Sequence, residues 1–71
     1  MKVNKTQAVL LILSILLEKG SFTKEEIKEE IEITDLKFKR YMQELRAFIY
    51  NFNLPYEINY IRREDIYILK K

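Results

Sequence analysis

The sequence predicts one small α+β domain in which three helices are followed by a C-terminal β-hairpin. Three apolar segments have helical spacing, and each follows a residue type that commonly caps a helix. Residues 56–71 then hold two short runs of isoleucine, tyrosine and leucine around a polar turn, which is typical of a hairpin. With 71 residues the chain has the length of a single domain, spanning 1–71, mainly α with a small antiparallel β-sheet.

The first helix is predicted from Asn4 or Thr6 to Lys19. Either Asn4 or Thr6 is a suitable N-cap, and Gly20 stands where many helices end in the left-handed conformation. The middle of this helix is apolar on nearly all sides, whereas a surface helix has a single apolar stripe. Two interpretations fit: a central core helix, or a helix that also packs one side against a second subunit or a following domain.

The second helix is predicted to begin at a capping box formed by Thr23 and Glu26. Phe22 and Ile27 have the spacing of a hydrophobic staple, and Ile27 and Ile31 form the inward face. The charged residues between them indicate a solvated outer face. The segment that ends at Thr23 suits a short strand.

The third helix is predicted to begin after the N-cap residue Thr34 and to end before Pro55, with a length of about 17–18 residues. At 100° per residue one side of it is apolar, and the opposite side centres on Leu36, Arg40, Gln43 and Ala47. The predicted buried residues are Phe38, Met42, Leu45, Ile49 and Phe52, with Tyr41 just beyond them.

The hairpin is predicted from 56–61 and 66–69, around the turn at 62–65. Pairing Ile61 with Ile66 separates the side chains into two faces. No glycine is present to set the turn type. With Ile61 opposite Ile66, one face of the hairpin holds Ile58, Tyr60, Tyr67 and Leu69, and the other holds Ile61, Ile66 and Ile68.

The composition argues against an enzyme. The chain has no cysteine and no histidine, which excludes thiolate zinc sites and Cys–His or Ser–His pairs. Gly20 is the only glycine, so a glycine-rich phosphate loop is excluded as well. We therefore expect no catalytic residue, no metal site and no cofactor. The absence of cysteine is compatible with a reducing, cytoplasmic compartment.

The apolar run at 8–17 follows Lys2 and Lys5 and is similar to the start of a signal peptide. No small-residue cleavage site follows it, and the run is shorter than the ~18–20 apolar residues that span a membrane. We expect neither a signal peptide nor a membrane partner.

The net charge of +2 is unevenly distributed. Residues 24–33 contain two lysines and five glutamates, a local charge of −3, so the rest of the chain carries +5. This layout predicts a local basic surface on a nearly neutral body, which is compatible with nucleic-acid binding.

The predicted order of elements is that of a winged helix-turn-helix domain. Short motifs at the first helix end, the turn, the third helix and the wing occur in the order of one family. The sequence resembles the N-terminal DNA-binding domain of DeoR-type and WYL-domain bacterial regulators, and biotin-repressor-type winged helices are similar too. The matching residues are Gly20, Phe22, Thr23, Glu26 and Ile27, followed by the segments at 31–34, 40–46, 54–58 and 67–69.

Four features depart from the family pattern. Glu32 replaces a turn glycine, and Tyr41 replaces an aspartate in the third helix. That helix is longer by about four residues, one turn. Leu36 stands at the centre of the face that would contact bases, where it suits either a thymine methyl group or a protein surface.

The resemblance implies a bacterial transcriptional regulator that binds double-stranded DNA, usually as a dimer. The third helix would enter the major groove, where Arg40 pairs with guanine and Gln43 with adenine, while the wing contacts phosphates or the minor groove. Lys2 and Lys5 are further candidate phosphate contacts. The predicted DNA-binding residues are Thr34, Leu36, Lys37, Lys39, Arg40, Gln43, Arg62 and Arg63.

Other interpretations of the same residues remain open. The polar face of the third helix and the arginine-containing turn also fit ordinary solvated surfaces. The first helix is a candidate contact for a homodimer or for a C-terminal sensing domain absent from this chain. The acidic second helix and Leu36 are compatible with a protein-interaction module, such as an antirepressor or an assembly subunit, that does not bind DNA.

Overall fold

The computed structural model describes residues 2–71. Its three helices are α1 (Lys5–Lys19), α2 (Lys24–Glu30) and α3 (Asp35–Asn51). Its strands are β1 (Ser21–Thr23), β2 (Glu57–Ile61) and β3 (Ile66–Lys70), which form an antiparallel sheet in the order β1-β3-β2. We call the hairpin of β2 and β3 the wing. The predicted α+β fold of three helices with a β-hairpin wing is confirmed.

Polar side chains start each helix where the sequence predicts. Asn4, rather than Thr6, caps α1, because its Oδ1 accepts a hydrogen bond from the Gln7 N–H at 2.8 Å. Gly20 ends α1 with a φ of +83°, a conformation that side chains with a Cβ atom disfavour. Thr23 begins α2 in the same way as Asn4 begins α1, by accepting from a backbone N–H in the first turn.

The turn between α2 and α3 does not need the glycine that Glu32 replaces. Within residues 2–71, positive φ angles occur at Gly20, Asn53 and Asp65, and position 32 is not among them. Ile31, the residue that ends α2, has an extended backbone and a buried side chain. The chain then continues to Thr34. This departure from the family motif therefore leaves the turn without a strained residue.

The register of the wing matches the prediction, with Ile61 opposite Ile66 and Ile58 opposite Leu69. Asp65 closes the turn at a φ of +53°, so an aspartate takes the left-handed position that glycine often fills. The sheet also contains a pairing that the sequence did not reveal. The short strand β1 pairs with β3 rather than β2, with Phe22 opposite Tyr67.

The core lies where the three helices meet one face of the sheet. Phe22, Phe38 and Tyr67 form an aromatic cluster, in which Phe22 stacks on Tyr67 with ring centroids 5.3 Å apart. Each helix contributes buried side chains to the core, four of them from α3. The buried residues are Ala8, Ile12, Leu16, Phe22, Ile27, Ile31, Phe38, Met42, Leu45, Ile49 and Ile58.

The prediction that Phe52 is buried is wrong. Phe52 lies just after the last helical residue of α3 and is 68% exposed. The next residue, Asn53, turns the chain with a φ of +52°, and the Leu54 N–H then bonds the Ile49 carbonyl at 3.0 Å. Phe52 itself is the C-cap residue, with a backbone that is no longer helical, and its ring packs on Phe48 at the surface.

Candidate nucleic-acid interface

The buried stripe of α3 determines which side chains point outward. Phe38, Met42, Leu45 and Ile49 hold the helix against the core, and the opposite face is exposed to solvent. All predicted contacts on and beside this helix lie on the exposed face: Thr34, Leu36, Lys37, Lys39, Arg40 and Gln43. Leu36 is 59% exposed.

Thr34 has a structural task in addition to any contact with a ligand. Its Oγ1 accepts a hydrogen bond from the Lys37 N–H at 3.2 Å and so begins α3. The hydroxyl hydrogen remains able to donate, for example to a phosphate oxygen. Thr34 therefore lies at the helix N-terminus, where backbone N–H groups and the helix dipole favour an anion.

A first groove, the α1-side groove, runs between α3 and the start of α1. Its polar lining consists of Lys5, Lys37, Arg40, Gln43 and Glu44. The Lys5 ammonium lies 3.5 Å from the Glu44 carboxylate, and both side chains are exposed. Three cations therefore share this groove with one carboxylate, which leaves a local positive charge beside Arg40.

A second groove, the wing-side groove, runs between α3 and the wing. Lys39, Gln43 and Arg46 line it from the helix, and Tyr60 and Tyr67 line it from the strands. Both cations of this groove follow one side of α3, because residues seven apart are nearly aligned on a helix. Gln43 borders both grooves and therefore lies on the ridge between them.

Arg46 is a candidate residue that the sequence analysis missed. It lies two turns after Lys39 on the same side of α3 and beside Tyr67. Burial raises the pKa of Tyr67, the Asp65 charge raises it further, and the Arg46 charge opposes this rise. The spacing Lys39, Gln43, Arg46 is visible in the sequence as an i, i+4, i+7 series. What the sequence did not show is that the wing packs beside this series and converts it into a groove.

The turn of the wing presents two arginines. Arg62 and Arg63 are exposed, and within residues 2–71 neither forms an ion pair within 4 Å. The nearby Asp65 carboxylate accepts a hydrogen bond from the Tyr60 hydroxyl at 2.6 Å, and this bond raises the pKa of Tyr60. Asp65 is thus engaged by Tyr60 rather than by either arginine.

The acidic block does not enter the two grooves. Neither Glu30 nor Glu32 lines them, and Asp35, in the first turn of α3, is held by α2 instead. Its carboxylate pairs with Lys28 and lies 3.7 Å from Lys24. The hydrogen bond from Lys28 lowers the pKa of Asp35, and the same bond raises the pKa of Lys28. These ion pairs link α2 to the start of α3.

Two apolar surfaces lie outside the grooves. On α1, the buried residues face the core while Leu10 and Leu17 are exposed, and they line a shallow depression with Ser14 between them. At the end of α3, Phe48 and Phe52 pack against each other with centroids 5.2 Å apart, and Tyr50 is 84% exposed. α1 is therefore a core helix that also exposes an apolar side.

Within residues 2–71, no cluster of three or more aspartate or glutamate side chains is placed to hold a metal ion. In the same range no helix is both long and apolar enough to cross a membrane. No protein-family model, curated protein or solved structure matches the chain at a significant level. The resemblance to DeoR-type regulators stays a prediction.

Proposed function

We propose that the protein binds double-stranded DNA and acts as a bacterial, cytoplasmic transcriptional regulator. In this proposal α3 enters the major groove and the wing contacts the backbone or the minor groove. The observation that carries the proposal is the exposed face of α3, a polar ridge with a basic groove on each side. A helix with this cross-section fits the major groove, which is about 12 Å wide.

The cations occupy the positions where phosphates would run. The two DNA backbones border the major groove, so an inserted helix has one on each side. The α1-side groove would face one backbone with Lys5 and Lys37, and the wing-side groove would face the other with Lys39 and Arg46. Neutralising phosphates with these groups releases counterions, which gives salt-dependent affinity.

The ridge between the grooves supplies side chains suited to base edges. Arg40 has the planar fork that pairs with guanine, and Gln43 has the amide that pairs with adenine. Leu36 would contact a thymine methyl group, which accounts for an exposed leucine on a polar ridge. Arg62 and Arg63, which are free of ion pairs within residues 2–71, would contact phosphates beside the groove.

The test is a fluorescence-anisotropy titration of mixed duplex DNA at about 50 and about 200 mM salt. The variants are Arg40→Ala and the double variant Arg62→Ala/Arg63→Ala. Lys19→Ala, at the far end of α1, removes a charge outside both grooves and is the matched control. We expect Arg40→Ala to weaken binding by roughly 5–160-fold, corresponding to about 1–3 kcal/mol, and Lys19→Ala to leave it nearly unchanged. Absence of salt-sensitive binding by the folded protein would contradict the proposal.

A second candidate function is a protein-interaction module that does not bind DNA. The aromatic rings gathered at the end of α3 favour it, because apolar patches at a surface commonly mark protein contacts, and Leu36 adds an exposed apolar side chain at the start of the helix. The two candidates differ in their response to Leu36→Lys. An added cation on the ridge would preserve or strengthen general DNA affinity, whereas it would weaken an apolar protein contact.

A further inference from the structure

Within residues 2–71, the outer edge of β2 is unpaired in the sheet. The strand order β1-β3-β2 leaves β2 at one end, with a single neighbour. Edge strands are commonly protected by lysine, proline or a bulge, because their free backbone groups pair readily with another strand. Glu57–Ile61 contains neither lysine nor proline, and its five residues pair with β3 one for one.

The hydrogen-bond pattern of β3 shows which groups the edge presents. The Leu69 N–H donates to the Gly20 carbonyl at 2.9 Å, so Leu69 directs its peptide groups toward β1. In an antiparallel ladder this direction alternates along the strand, so Ile68 and Lys70 bond β2. Their partners Asn59 and Glu57 bond β3 in return. The N–H and C=O groups of Ile58 and Tyr60 therefore point away from the sheet.

From this edge we propose that a second copy of the chain docks on β2, antiparallel, so that the two sheets join across a two-fold axis at Asn59. This register places Ile58 of each copy opposite Tyr60 of the other. Both residues have outward backbone groups, so the two pairs form about four hydrogen bonds. The contact is self-complementary, as a two-fold interface requires.

A groove beside the edge has room for the side chain that this register delivers. The volume of this groove is about 650 Å³, and the residues that line it include Arg46, Ile49, Tyr50, Leu54, Tyr56 and Ile58. Ile58 and Tyr60 lie on the same face of the sheet, toward α3. Directly opposed side chains in an antiparallel pair share a face. The Tyr60 ring of the second copy, 43% exposed in the single chain, would thus lie beside Ile58 at this groove.

Charge favours a second copy in the antiparallel direction. Glu57 begins β2, and Arg62 and Arg63 follow its last residue, Ile61. Antiparallel pairing brings Glu57 of one copy toward the two arginines of the other. Parallel pairing would instead place like charges side by side, which is destabilising. A contact along five residues buries less area than a standard protein interface. The expected dimer is therefore weak, with a Kd on the order of 10⁻⁴ M.

The test uses cysteine cross-linking. Because the chain has no cysteine of its own, any disulfide must form at the introduced residue. Asn59→Cys places one thiol on the proposed two-fold axis, opposite its own copy. Ser14→Cys places a thiol on the exposed apolar side of α1, and Glu64→Cys places one on the wing turn. We expect Asn59→Cys to form a disulfide dimer several-fold faster than both controls under mild oxidation, at protein concentrations near the Kd.

Sedimentation of the cysteine-free chain provides the second measurement. We expect the mass to rise from monomer to dimer between about 10 µM and about 1 mM, and Asn59→Lys to raise the Kd at least ~10-fold by opposing like charges on the axis. Circular dichroism verifies that this variant is folded. A wild-type chain that stays monomeric at about 1 mM would overturn the proposal, as would faster cross-linking of Ser14→Cys, which would place the contact on α1. Neither result depends on DNA binding.

Discussion

The two halves of α3 are anchored alike but expose different chemistry. The first half (35–43) buries Phe38 and Met42, and the second half (44–51) buries Leu45 and Ile49. On the outside the first half carries the polar ridge and most of its cations. The second half instead exposes aromatic rings, of which Tyr50 is the most exposed. One helix therefore presents a surface suited to nucleic acid at its start and an apolar surface at its end.

The largest expected effect tests the anchoring of each half. Phe38→Ala removes a ring that contacts both Phe22 and Tyr67, and should destabilise the fold by about 3–5 kcal/mol. Ile49→Ala lies at the edge of the core, at 8% exposure, and should cost about 2–3 kcal/mol. Urea unfolding monitored by circular dichroism measures both. A larger loss of stability for Ile49→Ala than for Phe38→Ala would show that the second half of α3 contributes more to the packing of the core.

The next effect separates the basic groove beside α3 from the aromatic end of the helix. Arg46→Ala removes a cation of the wing-side groove and should reduce the salt dependence of DNA binding by about one phosphate contact, a slope change of ~0.9. Tyr50→Ser, one turn further along, should leave both the affinity and the slope unchanged. Anisotropy titrations across a salt series provide the measurement. A larger effect of Tyr50→Ser would show that the aromatic end of α3, rather than the wing-side groove, contacts DNA.

A third prediction compares the two ends of the helix backbone. Thr34→Ala removes the N-cap acceptor and should destabilise the fold by about 1 kcal/mol, while Thr34→Ser should retain most of that stability. At the other end, Asn53 holds a φ of +52°, so Asn53→Gly should be neutral or stabilising by up to ~1 kcal/mol. Thermal unfolding of the three variants checks these signs, and a destabilised Asn53→Gly would contradict them.

The smallest effect concerns pH. The pKa of Asp35 is lowered in the folded chain, so its pair with Lys28 stabilises the fold above the ordinary carboxyl pKa of 3.8 and is lost as pH falls through the lower folded value. The raised pKa of Lys28 predicts a loss on the alkaline side, above its ordinary value of 10.5. Asp35→Asn should make the loss of stability at acid pH slightly less steep. The measurement is the midpoint of unfolding as a function of pH.

Glu29→Gln is the control for that experiment, because Glu29 is an exposed carboxylate on α2 and forms no ion pair within the described residues. It should leave the acid-side dependence nearly as in the unsubstituted chain. An equal response from both variants would attribute the dependence to net charge rather than to the pair.

Local signals in the sequence predicted most of the fold. The caps at Asn4, Thr23 and Thr34, the ending at Gly20 and the wing register all depend on neighbouring residues, and all are confirmed. The pairing of β1 with β3 was not predictable in this way, because it joins segments far apart in sequence. Phe52 was assigned wrongly because periodicity does not reveal where a helix stops.

The candidate site was predicted less completely than the fold. Exposure of Leu36, Arg40 and Gln43 follows from the helical period, and the structure agrees. Arg46 was missed because its groove forms only when the wing packs beside α3, a tertiary contact that residue spacing does not contain. The wing arginines were correctly placed in an exposed turn, and within residues 2–71 neither forms an ion pair.

The most direct test of the DNA-binding proposal is a titration of ¹⁵N-labelled protein with duplex DNA, followed by amide chemical shifts. We expect changes concentrated at 34–46 and in the turn at 62–65, with the amides at 48–52 nearly unaffected. Changes confined to 48–52, or no changes at low salt with folded protein, would contradict the claim that residues 34–46 and the wing contact DNA.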